Sequence, residues 1–398
     1  MFLRIKNLLF AALSITFALI AWKSYVHFID KESPKISISG VQNDGYYSSN
    51  LQCSISSNKT GLLSIILDEK PIAKNFKIGY FKHEYPFTIP TETMSNGAHK
   101  MEINFSDGSY NKNKYSETIN FYIDNVPLQA AFVKTETELK VFQGRTLHVQ
   151  FQVNKKIKHA TANALSNSYE CYQESKDSSI YETFIPILCE ENPNEYLLTI
   201  DIVDHIGNTL KLETKFQIIQ FPFKKEVLVV KPEKVKAEKE LGKSHEQFEK
   251  DLAAILTTSP KEKLWRGKFC APIEIAKMTC DFGTIRISQE KGKYTHRAVD
   301  LTNQPKSVVW AAQSGIVKIK DRYAMTGNTV VIDHGWGIIT MYFHMDSLAN
   351  INIGDKINQG NPVGTLGETG YASGYHLHWE LRVNNMPVDP MQWINNTF

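Results

Sequence analysis

Five polar residues stand at spacings that suit a catalytic zinc site: His296 and Asp300 in HRAVD, His344 in MYFHMD, and His376 and His378 in HLHWE. A zinc ion that hydrolyses bonds takes three protein ligands from His, Asp, Glu or Cys and keeps one position open. General acid/base groups must then stand beside the reacting water. The set supplies three ligands with two histidines to spare.

Local structure has to bring these groups together. On a strand, Tyr375 to Glu380 would point His376 and His378 to one face and Leu377 and Trp379 to the other. His296 and Asp300, four apart, suit either one helical turn or a strand running into a turn after Tyr294. The arrangement differs from HExxH, in which both histidines share a helix. The fragment that starts that way, His245-Glu246-Gln247-Phe248-Glu249, lacks the second histidine, which excludes a zincin helix.

HxxxD, a histidine after an aromatic, and HxH occur here in the order seen in lysostaphin/LytM-type zinc metallopeptidases, which cut cell-wall peptidoglycan, and the chain resembles that family at these residues. The flanks agree: Thr329 to Gly335 is similar to the family's strand and turn, Gly354-Asp355-Lys356-Ile357 with Gly360 and Val363-Gly364 to its turn-strand-turn passage, and Val388-Asp389-Pro390 to its closing motif. Phe282-Gly283-Thr284-Ile285-Arg286 resembles its opening F-G-x-x-R. The resemblance runs from about Phe269 to Trp393. It departs at Ala298, where glycine is usual, and at Met345, which replaces a common leucine.

The resemblance implies a small antiparallel β domain of the duplicated hybrid motif type, with the site in a groove open at both ends. It makes His296, Asp300 and His378 the ligands of one zinc. It makes His344 and His376 the pair that polarises water and stabilises the oxyanion, and leaves His334 in a turn, binding nothing. Two functions follow from it: a zinc endopeptidase acting on peptidoglycan bridges or stems, or a catalytically silent module that activates another wall hydrolase. Silent relatives have lost ligands, and here all five positions are filled. Because the ligands bind only when deprotonated, activity is expected to fall in acid.

The remaining chain sets the context. Its 398 residues exceed one ordinary domain. A net charge of +3 and 42% hydrophobic residues indicate globular domains and give no sign of a nucleic-acid binder. Arg4 and Lys6 precede an apolar run from Leu8 to Trp22 that only Ser14 and Thr16 interrupt, and Lys23 ends it. This reads as an export signal or a membrane anchor, and as an uncleaved anchor with a cytoplasmic N-terminus before a cleaved signal, since an A-x-A cleavage site is missing. The run is short against the ~20 residues of a usual span. The domains beyond it are expected outside the cytoplasm, on the periplasmic or cell-wall side, with peptidoglycan as partner.

The fold expected is mainly β. Residues 1–32 form the anchor and a short stalk, and 33–125 and 126–220 two Ig-like β-sandwiches. Residues 221–263 form a linker with a short helix capped by Ser244, and 264–398 the metallopeptidase domain. The sandwiches are read from period-two runs such as Leu147 to Val153 and from a weak repeat, in which Phe87 to Asp107 finds its echo in Phe184 to Asp204. They are expected to space the enzyme from the membrane or to bind a divisome or cell-wall protein. Five cysteines in an exported chain suggest disulfides, with Cys171/Cys189 and Cys270/Cys280 as local pairs and Cys53 odd, or free buried thiols.

Overall fold

The computed structural model describes residues 2–28, 30–79, 83–227, 232–288 and 292–396. Strands predominate, and two compact units emerge: Met1–Pro127 with His205–Asn208, and Leu128–Asp204 with Thr209–Phe398.

In the first unit an N-terminal helix, Phe2–Phe28, precedes a two-layered β structure. Its apolar run carries Ser14 and Thr16, whose hydroxyls fold back onto the carbonyls of Phe10 and Ala12 at 2.9 and 2.7 Å. Among the described residues no helix is long and apolar enough to cross a membrane. The anchor expected here is therefore not supported: the run falls below the ~20 apolar residues of a usual span. After it, a three-stranded sheet (Ile36–Ser39, Leu51–Ser57, Glu84–Ile89) faces a five-stranded one containing Gly61–Leu67, Gly97–Asp107 and Lys114–Ile123. Their inward residues, among them Ile55, Leu63, Ile65, Met101 and Phe121, form one core.

The second unit begins with eight strands joined in one sheet, closed over Val149, Phe151, Ala162, Leu198, Ile200 and Phe216. β layering is thus present in both upstream regions, but the narrower immunoglobulin type expected from the repeat is not supported. In the second region the Ile157–Ala164 and Asn167–Gln173 hairpin makes the sheet continuous. The repeated aspartates have a physical role in each: Asp107 is buried and accepts the hydroxyl of Ser109 at 2.6 Å and the amide of Asn113 at 2.9 Å, and Asp204 is buried against Lys155 at 2.6 Å.

The described residues of the 221–263 stretch pack as part of the unit. Ser244 caps the helix His245–Thr257 by accepting the amide of Gln247 at 3.1 Å. Phe248, Leu252 and Ile255, one face of that helix, are buried against Ile319, Val331, Ile339, Met341 and Phe343. The helix therefore covers part of one face of the main C-terminal sheet, whose central order is Lys277–Cys280, Val299–Thr302, Leu377–Val383, Ile338–Met345, Gly327–Asp333, Gly315–Tyr323. The preceding β layer shares a core with this domain through Phe184, Trp265 and Trp393, with rings 5.3–6.3 Å apart. All five cysteines are free: Cys171 lies in the upstream core, Cys189 in the shared core, and the Cys280 thiol points to Glu226 at 3.5 Å.

Candidate metal centre

The main sheet assembles the site by register. Asp300 on Val299–Thr302 lies directly across from His378 on Leu377–Val383, and His378 in turn lies across from Phe343 on Ile338–Met345. Leu377 and Trp379 are fully buried beneath, as strand alternation requires. His296 sits in the turn after Gly292–Thr295, held by its own amide to Thr284 O and by Gly283 N to its carbonyl, both 2.8 Å.

Phe343 and His344 are sequence neighbours, yet both rings contact His378, at 5.2 and 5.8 Å. A regular strand would send them to opposite faces. His344 breaks the alternation with a left-handed backbone, φ 63°, and its amide bonds Thr326 O at 2.8 Å. His376 precedes the strand and stands 4.9 Å from His344, ring to ring.

Three donor atoms converge. His296 Nε2 and His378 Nδ1 each lie 3.0 Å from Asp300 Oδ1, and 3.1 Å from one another. Nitrogen and oxygen donors bound tetrahedrally at about 2.0–2.1 Å lie roughly 3.3 Å apart, so the three atoms are spaced as a zinc ion requires. The far side of each is also occupied, as metal ligands need. His296 Nδ1 donates to Asp281 O at 3.3 Å, Arg286 donates to Asp300 Oδ2 at 2.8 Å, and His378 Nε2 faces the Glu380 carboxylate at 3.9 Å. Among the described residues Cys280 also comes near, its sulfur within 4.8 Å of the His296 and Asp300 donor atoms. Burial pushes its thiol up to about 12, so it stays protonated and is a poor ligand as placed.

The electrostatics separate the roles. Burial alone would raise the Asp300 carboxyl, but hydrogen bonds from His296 and His378 hold it well below the usual carboxylate range. Burial lowers His296, His344 and His376. His378 is raised in spite of burial, because Asp300 and Glu380 favour its cation. His344 Nδ1 donates to Thr369 O at 2.7 Å and His376 Nδ1 to Gly374 O at 2.8 Å. Both neutral imidazoles therefore keep the Nε2 lone pair free.

All five residues singled out in the sequence are thus brought together, while His334 is buried elsewhere, between Ser314 O at 2.7 Å and Thr340 Oγ1 at 2.8 Å. Sequence reasoning gave no role to Arg286, Phe343, Glu226 or Glu190. Arg286 stood in the F-G-x-x-R motif, and Phe343 preceded His344. Glu190 accepts from both neighbours of His296, Thr295 at 2.7 Å and Arg297 at 2.9 Å, and no local signal marks it.

Residues 294–390 match Peptidase family M23. The C-terminal part of the chain is a peptidase M23 domain. Among curated relatives, the peptidoglycan DD-endopeptidase ShyC of Vibrio cholerae is 31% identical over 30% of this chain and 28% of its own length. The DD-carboxypeptidase/endopeptidase Mpg of Neisseria meningitidis is 32% identical over 24% of this chain and 22% of its own. The chain thus spans about a quarter of the length of the curated relatives it matches. Among solved structures, the catalytic domain of the M23 protein EnpA from Enterococcus faecalis is 27% identical, covering 30% of this chain and 95% of that one, TM-score 0.26. The lysostaphin catalytic domain from Staphylococcus simulans is 24% identical, covering 36% and 98%, TM-score 0.24.

Proposed function

We propose that the chain is a zinc-dependent endopeptidase that hydrolyses peptide bonds in peptidoglycan cross-links or stems during wall remodelling. The observation that carries this is the convergence of His296, Asp300 and His378 at 3.0–3.1 Å beside the His344/His376 pair. These three would hold the ion through His296 Nε2, Asp300 Oδ1 and His378 Nδ1. Zinc, when bound, supplies the Lewis acidity that activates water and polarises the scissile carbonyl.

The chain's own groups carry the proton. His344 and His376 are kept neutral by burial and oriented by their Nδ1 bonds, so either Nε2 can take a proton from the attacking water. The imidazolium so formed can donate from the same atom, either to the developing oxyanion or to the leaving amine. A module that only activates another hydrolase would not need this set, and with all five groups present that reading is not favoured.

For such a substrate the domain has to lie outside the cytoplasm, and we infer export with the N-terminal helix on the membrane side. Arg4 and Lys6 before its apolar run support that reading. The upstream β layers would then set the distance to the wall or bind a divisome or cell-wall protein. Mass spectrometry of muropeptides after digestion with the purified chain tests the activity: new peptide ends that vanish with a chelator and return with zinc are expected, and intact muropeptides refute it. Protease added to spheroplasts should digest the C-terminal domain, and a protected domain would refute export.

A further inference from the structure

The segment ahead of the peptidase domain runs along the metal centre. Lys225–Val227 pairs in parallel with Ile285–Ser288, placing Glu226 beside Arg286, and Ile285 N bonds Lys224 O at 2.8 Å. Lys224 forms an ion pair with Asp281, whose carbonyl receives His296 Nδ1. The Phe223 ring fills the space beside Gly283, where a Cβ would come within 2.1 Å of it, at φ +80°. Residue 283 must therefore be glycine for this segment to lie here.

Glu226 is the acidic group of that strand. Its carboxylate stands 3.6 Å from Arg286 Nε, a buried nitrogen without a hydrogen bond of its own, and it accepts the Cys280 thiol at 3.5 Å. Arg286 in turn donates to Asp300 Oδ2 at 2.8 Å. The guanidinium is thus shared between two carboxylates. If Glu226 is removed, the guanidinium loses one of its two carboxylate partners and leans more fully on Asp300, where it competes with a cation.

We propose that Glu226, on a strand upstream of the residues matched to the family, is a positioning residue of the metal centre, acting on Asp300 through Arg286. This rests on the assignment of His296, Asp300 and His378 as zinc ligands. Partners beyond the ligands typically contribute 10–100-fold in metal affinity.

The test is zinc affinity of the purified full chain, measured by competition with a chromophoric chelator, alongside the melting temperature of the metal-free protein. Glu226→Ala and Glu226→Gln should each weaken zinc binding about tenfold, and Glu226→Asp should recover part of it. Because the Glu226 side chain is 41% exposed, the metal-free melting temperature should move by no more than about 2 °C. Unchanged affinity in both the Ala and Gln variants overturns the inference, as does a loss that merely tracks lower stability of the metal-free chain. A wild-type chain that takes up no zinc overturns the ligand assignment itself, and this inference with it.

Discussion

Phe343 lies flat against His378, ring centroids 5.2 Å apart and planes within 9° of parallel. On its other side Phe248, from the helix His245–Thr257, meets it edge-on at 5.6 Å and 85°. A helix outside the family match thus reaches the proposed ligand through a single ring. Phe343→Leu keeps most of the buried volume, at a cost of roughly 1.5 kcal/mol or less, but gives up the flat contact. Zinc affinity should fall by about tenfold, in the range for groups that orient a ligand; unchanged affinity by chelator competition would show that the ring only packs.

His344→Ala and His376→Ala should retain about one zinc per chain by elemental analysis while losing about a hundredfold or more in kcat, the usual cost of a transition-state donor. His378→Ala should lose most of the metal. A His344→Ala or His376→Ala protein within a few-fold of wild type would remove that residue from the mechanism, and one that lost its zinc would move it among the ligands.

The helix is structural as well. Leu252, fully buried against the sheet, should cost about 2–5 kcal/mol when replaced by alanine. A fragment beginning at residue 264 lacks the helix altogether and bares Ile339, Met341 and Phe343. It should bind a hydrophobic dye and melt without a cooperative transition, whereas one beginning at residue 126 should melt cooperatively.

His334 makes stability pH-dependent. Burial pushes its imidazole down to about 4, with Nδ1 against Ser314 O and Nε2 against the Thr340 hydroxyl. In the unfolded chain the same group titrates near ~6.5. Between those values the unfolded state binds a proton that the folded state refuses. Its stability contribution is therefore complete above pH ~6.5 and lost as pH falls towards 4, by about 3 kcal/mol in total. Urea midpoints of wild type and His334→Gln across pH 4–7 test this. The variant should start less stable and show a shallower decline, and parallel curves would place the acid sensitivity elsewhere.

The candidate site residues were legible because their kinds and spacings are rare: HxH in extended chain puts two imidazoles on one side wherever that chain goes. Their supports were less so. Arg286 reaches Asp300 from another strand, and Glu226 reaches Arg286 only because residues 225–227 fold back along that strand, a pairing that no periodicity announces. The helix after Ser244 could be read from its cap and apolar face, but the surface it covers could not, since a charged tract with one amphipathic helix looks alike free or docked. The two β regions showed their alternation and their repeated aspartates, though not the burial of those aspartates. That the second shares a core with the peptidase domain depends on Phe184, Trp265 and Trp393, each of which would pass for an ordinary core aromatic in its own stretch.

That shared core bears on the order in which the chain can become a protein. Trp393 donates to Thr146 at 3.2 Å across 247 residues, and Gln392 exchanges two bonds with the Thr146 backbone. At ~5–20 residues per second, a ribosome needs roughly 12–50 s to pass from one to the other. Through that interval Phe184 and the strand carrying Thr146 have no lid, and contacts so distant in sequence form slowly once both are present. The second unit therefore cannot complete its packing until its last residues have been synthesised.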